Sequence, residues 1–122
     1  MKGVLYTLNL ETYSLSKTIF DNICNKKVIR ADLLDVSEIT SISDTFIIAV
    51  APNTKQTKAM ADEVEEKLEA QNILPIRKEG YDSANWILID YGYVIVHILD
   101  EEHAKFYDLT RLWQDAKFLD KY

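Results

Sequence analysis

Apolar residues in this chain recur either every three to four positions or in continuous runs, and the alternation of the two patterns predicts its elements. From Tyr13 to Asn25 the period is helical, with Leu15, Ile19 and Ile23 four apart and Phe20 beside them. Thr12 or Ser14 offers an N-cap oxygen. Val28 to Val36 reads as a strand, Ser37 to Asp44 as a turn, and Thr45 to Val50 as a β-branched apolar run of the kind that fills a central strand buried on both faces. Pro52-Asn53 stops that run. A helix from Thr54 to about Gln71 follows, capped by Asn53 with Gln56 three residues on. Met60, Ala61, Val64 and Leu68 form its apolar stripe, and Glu63, Glu66 and Lys67 its solvated side. Ile73–Glu79, Trp86–Asp90 and Tyr93–Leu99 read as three more strands, the last two joined across Tyr91-Gly92 as a hairpin. Glu101–Trp113 reads as a last helix, with Phe106, Leu109 and Trp113 at helical spacing and an acidic start that suits its dipole. Residues 1–11 fit a strand or a helical extension equally. The order predicts an α/β fold: one domain over residues 1–122, with a mixed β-sheet of about five strands packed by helices.

Composition sharpens this picture at three points. With 48% hydrophobic residues in 122, the chain carries enough apolar mass for one real core and is not a disordered polymer. Its glycines are Gly3, Gly80 and Gly92, which excludes a G-x-G-x-x-G dinucleotide loop and a G-x-x-x-x-G-K phosphate loop. The net charge of −6 argues against naked nucleic acid, which is usually met by a basic face, and favours a basic partner. Lys17, Lys26, Lys27 and Arg30 nonetheless form a local basic group, the one candidate for a minor contact with RNA.

Cys24 stands alone, so no intrachain disulfide is implied, and with only His97 and His103 a Cys/His zinc site of standard spacing is excluded. The N-terminal segment is a poor signal peptide, broken by Asn9 and Glu11. The apolar run from Phe46 to Ala51 falls far short of the ~20 residues that span a bilayer. The expectation is a soluble cytoplasmic protein without cofactor, metal or membrane contact.

For catalysis, Asp32 and Asp35 flank Leu33-Leu34 and Asp90 ends another strand, and strand-end carboxylates can hold Mg²⁺ for phosphoryl transfer. Against this, Asp32 and Asp35 are three apart and so point to opposite faces of a strand. Ordinary solvated strand-end acids are the better reading. No G-x-S-x-G elbow is present, and Cys24 on a helix suits a small core residue better than a nucleophile. His97, inside Val94-Ile95-Val96-His97-Ile98-Leu99, reads as a strand histidine with a hydrogen-bond partner, or as an anchor whose ring N–H reaches a partner carbonyl. The segment from Glu79 to Tyr93 is richer, with Trp86, three tyrosines and several acids on a loop and hairpin. Such groups are protein-binding anchors or, equally, sheet-covering core.

These same residues carry a family resemblance. Trp86-Ile87-Leu88-Ile89-Asp90-Tyr91-Gly92-Tyr93-Val94-Ile95-Val96-His97 followed by Phe106-Tyr107-Asp108-Leu109-Thr110-Arg111-Leu112-Trp113 resembles the ribosomal silencing factor, or Iojap-like, family. Leu34-Asp35-Val36, Ser41-Ile42-Ser43-Asp44, Gln56 and Ala61-Asp62-Glu63-Val64 match as well, and the resemblance covers residues 13 to about 116 in the family's order and spacing.

The resemblance implies a nucleotidyltransferase-like fold without enzymatic activity. It implies binding to ribosomal protein uL14 on the large subunit, a steric block to joining of the small subunit, and lower translation under nutrient limitation. On the matching positions it implies a uL14-binding surface from Glu79, Trp86, Asp90, Tyr91 and His97, with Tyr107 as a further contributor. Trp86 would be the apolar anchor, and Glu79 and Asp90 would meet basic side chains. Tyr93, Ala104 and Ala51-Pro52 depart from the family pattern, which more often has an acid, an Arg and a Gly-containing pair there. The competing reading is a Mg²⁺-dependent nucleotidyltransferase-like enzyme using Asp32, Asp35 or Asp90. An exposed strand edge could also pair two copies into a homodimer.

Overall fold

A computed structural model describes residues 10–106 and 114–122. Helix α1 (Leu10–Cys24) leads into strands β1 (Arg30–Asp35) and β2 (Thr45–Ala51), followed by α2 (Thr54–Glu69). Then come β3 (Arg77–Glu79), β4 (Trp86–Asp90), β5 (Val94–Asp100), α3 (Glu101–Phe106) and β6 (Lys117–Lys121).

Local chemistry sets several of these boundaries. Asn53 is extended at φ −160° and its Oδ1 accepts the Gln56 N–H at 3.0 Å, the predicted cap of α2. At the other end Asn72 takes φ 63° and the Ile73 N–H returns to the Leu68 carbonyl at 2.9 Å. Ile73 therefore closes α2 instead of opening a strand. Pro75, which has no N–H to donate, delays the next strand further, so the expected strand 73–79 shrinks to the three residues of β3. Thr12 and Ser14 lie inside α1, not at its cap. The Thr12 carbonyl accepts the Ser16 hydroxyl at 2.7 Å.

The sheet has six strands in the order β3-β4-β5-β2-β1-β6, one more than expected. The sixth is the C-terminal segment Lys117–Lys121, antiparallel to β1 with a register shift between Leu33 and Leu34. Only β2 and β5 pair in parallel; all other neighbours are antiparallel. This central pair is buried at every position of both strands, as the continuous apolar run required.

Alternation along each strand divides the core in two. Ala31, Leu33, Ile47, Ala49, Ile87, Ile89, Val96 and Ile98 meet Ile19, Phe20 and Ile23 of α1 and Met60, Val64 and Leu68 of α2. Each of the larger side chains contributes ~1.5–3 kcal/mol on burial. The opposite face, called the outer face below, gathers Leu34, Phe46, Ile48, Ile95 and Leu99, with Trp86, Leu88, Ala104 and Ala116 packed at its margin. Asp100 opens α3 above this end of the sheet, its Oδ1 accepting the His103 N–H at 2.7 Å. Among the described residues no helix is long and apolar enough to cross a membrane.

Candidate functional site

The loop that delivers Trp86 is pinned from several sides. Gly80 sits at φ +79° and Ala84 at φ 62°, and the Ala84 N–H closes back on the Gly80 carbonyl at 2.9 Å. From α2, the buried Thr57 hydroxyl donates to the Ala84 carbonyl at 2.7 Å, and Asp62 accepts the Tyr81 hydroxyl at 2.9 Å. Lys78 lies 4.3 Å from the Tyr81 ring centre. The Asp100 N–H reaches the Asn85 carbonyl at 3.2 Å from the far side.

In the β4–β5 ladder Trp86 stands opposite Leu99 and Leu88 opposite His97, so Trp86 and His97 are diagonal neighbours on the outer face. The indole Nε1–H donates to His97 Nδ1 at 3.2 Å, and the two rings meet at 60° with centres 6.0 Å apart. Phe46 closes on His97 edge-on at 4.9 Å. His97 is only 8% exposed, and burial pulls its imidazole down to about 4, so the ring is neutral at physiological pH. Its Nε2 is buried with no hydrogen-bond partner among the described residues.

Asp90 closes the hairpin. Its Oδ1 accepts the Gly92 N–H at 2.7 Å, with Gly92 at φ +92°, and its Oδ2 accepts from Arg77 Nε at 3.2 Å. Arg77 Nη1 also meets Glu79 Oε2 at 2.6 Å. One guanidinium thus bridges the two acids expected to meet basic groups of a partner. The register places Arg77 beside Asp90 and Glu79 beside Leu88, on the outer face. Arg77 was not singled out from the sequence, although the spacing Arg77-x-Glu79 on a strand carries the signal.

The expected site residues therefore fall into groups. Trp86, Asp90, Glu79 and His97 share the outer face, with His97 buried beneath the surface. Tyr91 turns the other way and packs on the helix-side core. Its hydroxyl is buried without a partner among the described residues, and desolvation, with Glu65 adding, pushes the phenol up to about 12. Tyr107 lies outside the described residues.

The alternative constellation is scattered by the sheet. Asp90 aligns through Ile95 and Phe46 with Leu34, so Asp90 and the neighbouring Asp35 stand three strands, ~14 Å, apart. Asp32 accepts from Arg30 Nε at 2.9 Å, and Asp35 accepts the Ser37 N–H and hydroxyl at 3.0 and 2.6 Å. No group of three or more His, Cys, Asp or Glu side chains suited to a metal ion occurs among the described residues. The basic group near the N-terminus is largely neutralised at home. Lys17 pairs with Asp21 and Asp120, Lys26 with Glu63, and Arg30 with Asp32.

A profile of the family described as ribosomal silencing factor during starvation matches residues 10–121. The chain belongs to this family. A ribosomal silencing factor of Halalkalibacterium halodurans is 35% identical over 108 residues, covering 88% of this chain and 90% of that one. That of Bacillus subtilis is 34% identical over 87 residues, 71% of this chain and 74% of its own. A crystal structure of a Bacillus halodurans protein superposes with a TM-score of 0.72 at 32% identity, covering 86% of this chain and 95% of that one. The match continues past residue 116, where the sequence resemblance ends, through β6. Membership carries a role in ribosome silencing and translation regulation.

Proposed function

We propose that this silencing factor acts in the cytoplasm by seating the margin of its outer face on ribosomal protein uL14 of the large subunit, so that the small subunit cannot join. The observation that carries the reading is the Trp86 indole, partly exposed and held by buried His97, with Asp90 and Glu79 beside it. A large ring fixed before contact is the kind of anchor that dominates protein interfaces. The net charge of −6 suits a basic ribosomal protein. The mechanism is steric and needs no bond to be made or broken, so the chain works as a binder and not as an enzyme. Lys17, Lys26 and Arg30 are engaged by acids of the chain itself, which leaves ribosomal RNA at most a minor contact.

Co-sedimentation with separated large and small ribosomal subunits at physiological salt tests this. Selective association with large subunits and a smaller yield of joined ribosomes is expected. Trp86→Ala, checked for folding by circular dichroism, should weaken binding by ~2 kcal/mol or more. A folded Trp86→Ala that binds like the wild type would remove this surface, and absence of association with either subunit would remove the function. A steep loss of affinity with salt would point to phosphate contacts instead.

A further inference from the structure

We propose that His97 is a positioning residue for docking: as a bare-Nδ1 acceptor it holds the Trp86 indole from beneath, and it does not itself touch the partner. This deepens the functional reading above and rests on it. The tautomer follows from the hydrogen bond. An indole N–H can only donate, so the Nδ1 atom that receives it at 3.2 Å carries no proton, and the single ring proton sits on Nε2. A protonated ring would set N–H against N–H.

The surroundings separate holding from packing. Across the ladders His97 stands between Leu88 and Ile48, with Phe46 edge-on to its ring, so its neighbours are apolar. Its Nε2–H is buried and without a partner among the described residues, a state that costs stability. A side chain retained here for packing alone would be apolar and would avoid that cost. What an apolar side chain lacks is the acceptor for the indole. Pairing with β5 fixes the backbone at Trp86, and the indole hydrogen bond to His97 restrains its side-chain torsions. Restraining them before contact lowers the ordering cost of binding.

The test reads the free protein and the complex separately. In the wild-type chain, two-bond ¹⁵N correlations of the His97 ring should show Nε2–H with Nδ1 unprotonated, and the Trp86 indole N–H, identified by its loss in Trp86→Phe, should be protected from exchange. Observation of the Nδ1–H tautomer would overturn the proposal. For binding to large subunits, His97→Leu removes the acceptor and should weaken affinity about tenfold, the size of one lost hydrogen bond. In His97→Asn the side-chain carbonyl falls near the Nδ1 position, and affinity should return to within about threefold of wild type. Wild-type affinity in a folded His97→Leu would overturn the positioning role, as would a His97→Asn as weak as His97→Leu. If His97→Leu does not fold, the tautomer and the His97→Asn affinity decide. Absence of binding by the wild type would overturn the functional reading and this one together, whereas failure of the variants alone strikes only this one.

Discussion

The carbonyl oxygen of Trp86 occupies the space that a side chain at position 80 would need: a Cβ on Gly80 would lie 2.1 Å from it. Gly80 also stands at φ +79°, where L side chains are strained. Gly80→Ala must therefore move the backbone that presents the indole. A loss of ~2 kcal/mol or more is expected from strain and clash together, read as a lower urea midpoint with unchanged slope. A Gly80→Ala variant as stable as the wild type would mean that the loop from Gly80 to Asn85 is not the rigid mount described above.

Tyr91 presents the opposite case, a polar atom whose removal should be harmless. Its hydroxyl is buried without a partner among the described residues, while its ring packs on the helix-side core. Tyr91→Phe keeps the ring and removes the unsatisfied group, so stability should be unchanged or rise by up to ~1 kcal/mol. Thermal unfolding checks this. A clear fall in the transition temperature would show that the hydroxyl has a bonding role.

The depressed imidazole of His97 links folding to pH. Unfolded, the ring takes a proton near its ordinary 6.5; folded, it does so only at about 4. Between these values the unfolded chain binds more protons, so this residue's contribution to stability falls as pH drops through 6.5 and levels off below about 4. At pH 5 the wild type should have lost ~2 kcal/mol relative to pH 7 beyond any loss shown by His97→Asn. Urea unfolding of both proteins at the two pH values isolates the difference, since other titrating groups act on both alike. Equal losses would place the ring in water.

Arg77 bridges Glu79 and Asp90, and its removal separates the fold from the docking charge. The Arg77–Glu79 pair is exposed, while Asp90 is mostly buried but keeps its bond from the Gly92 N–H, so Arg77→Ala should cost ~1–2 kcal/mol of stability. It frees two acids on the outer face and takes the net charge from −6 to −7. If that face meets a basic protein, association with large subunits should become faster and more sensitive to salt. Stopped-flow mixing at two ionic strengths measures it. A slower association would mean that the guanidinium itself makes the contact.

Much of the architecture was legible because it rests on local signals. The stripe Met60, Val64 and Leu68, the Asn53 cap and the Gly92 turn act within a few residues, and α2, β4 and β5 lie within about two residues of expectation. The strand expected at 73–79 failed where two local rules met, with helix closure by Asn72 and Ile73 and the missing N–H of Pro75 leaving only β3. Strand β6 was not legible. Lys117-Phe118-Leu119-Asp120-Lys121 is short and polar at both ends, and it pairs with β1 across a register shift, so no clean alternation marks it.

The candidate site divides along the same line. That Trp86 and Asp90 share a face follows from period-two alternation along one strand and was legible in the chain, whereas Glu79 joins them only through the β3–β4 register. The sequence by itself also determined the family, through motifs spread from Leu34 to Trp113. Packing of the folded sheet, by contrast, sets His97 under Trp86 with Nδ1 as acceptor, gives Arg77 both acids and turns Tyr91 to the opposite core. Each of these depends on which side chain crosses a ladder to fill a particular space or neutralise a particular charge. Such choices are settled by burial and hydrogen-bond satisfaction among residues brought together by the sheet, and no spacing along the chain encodes them.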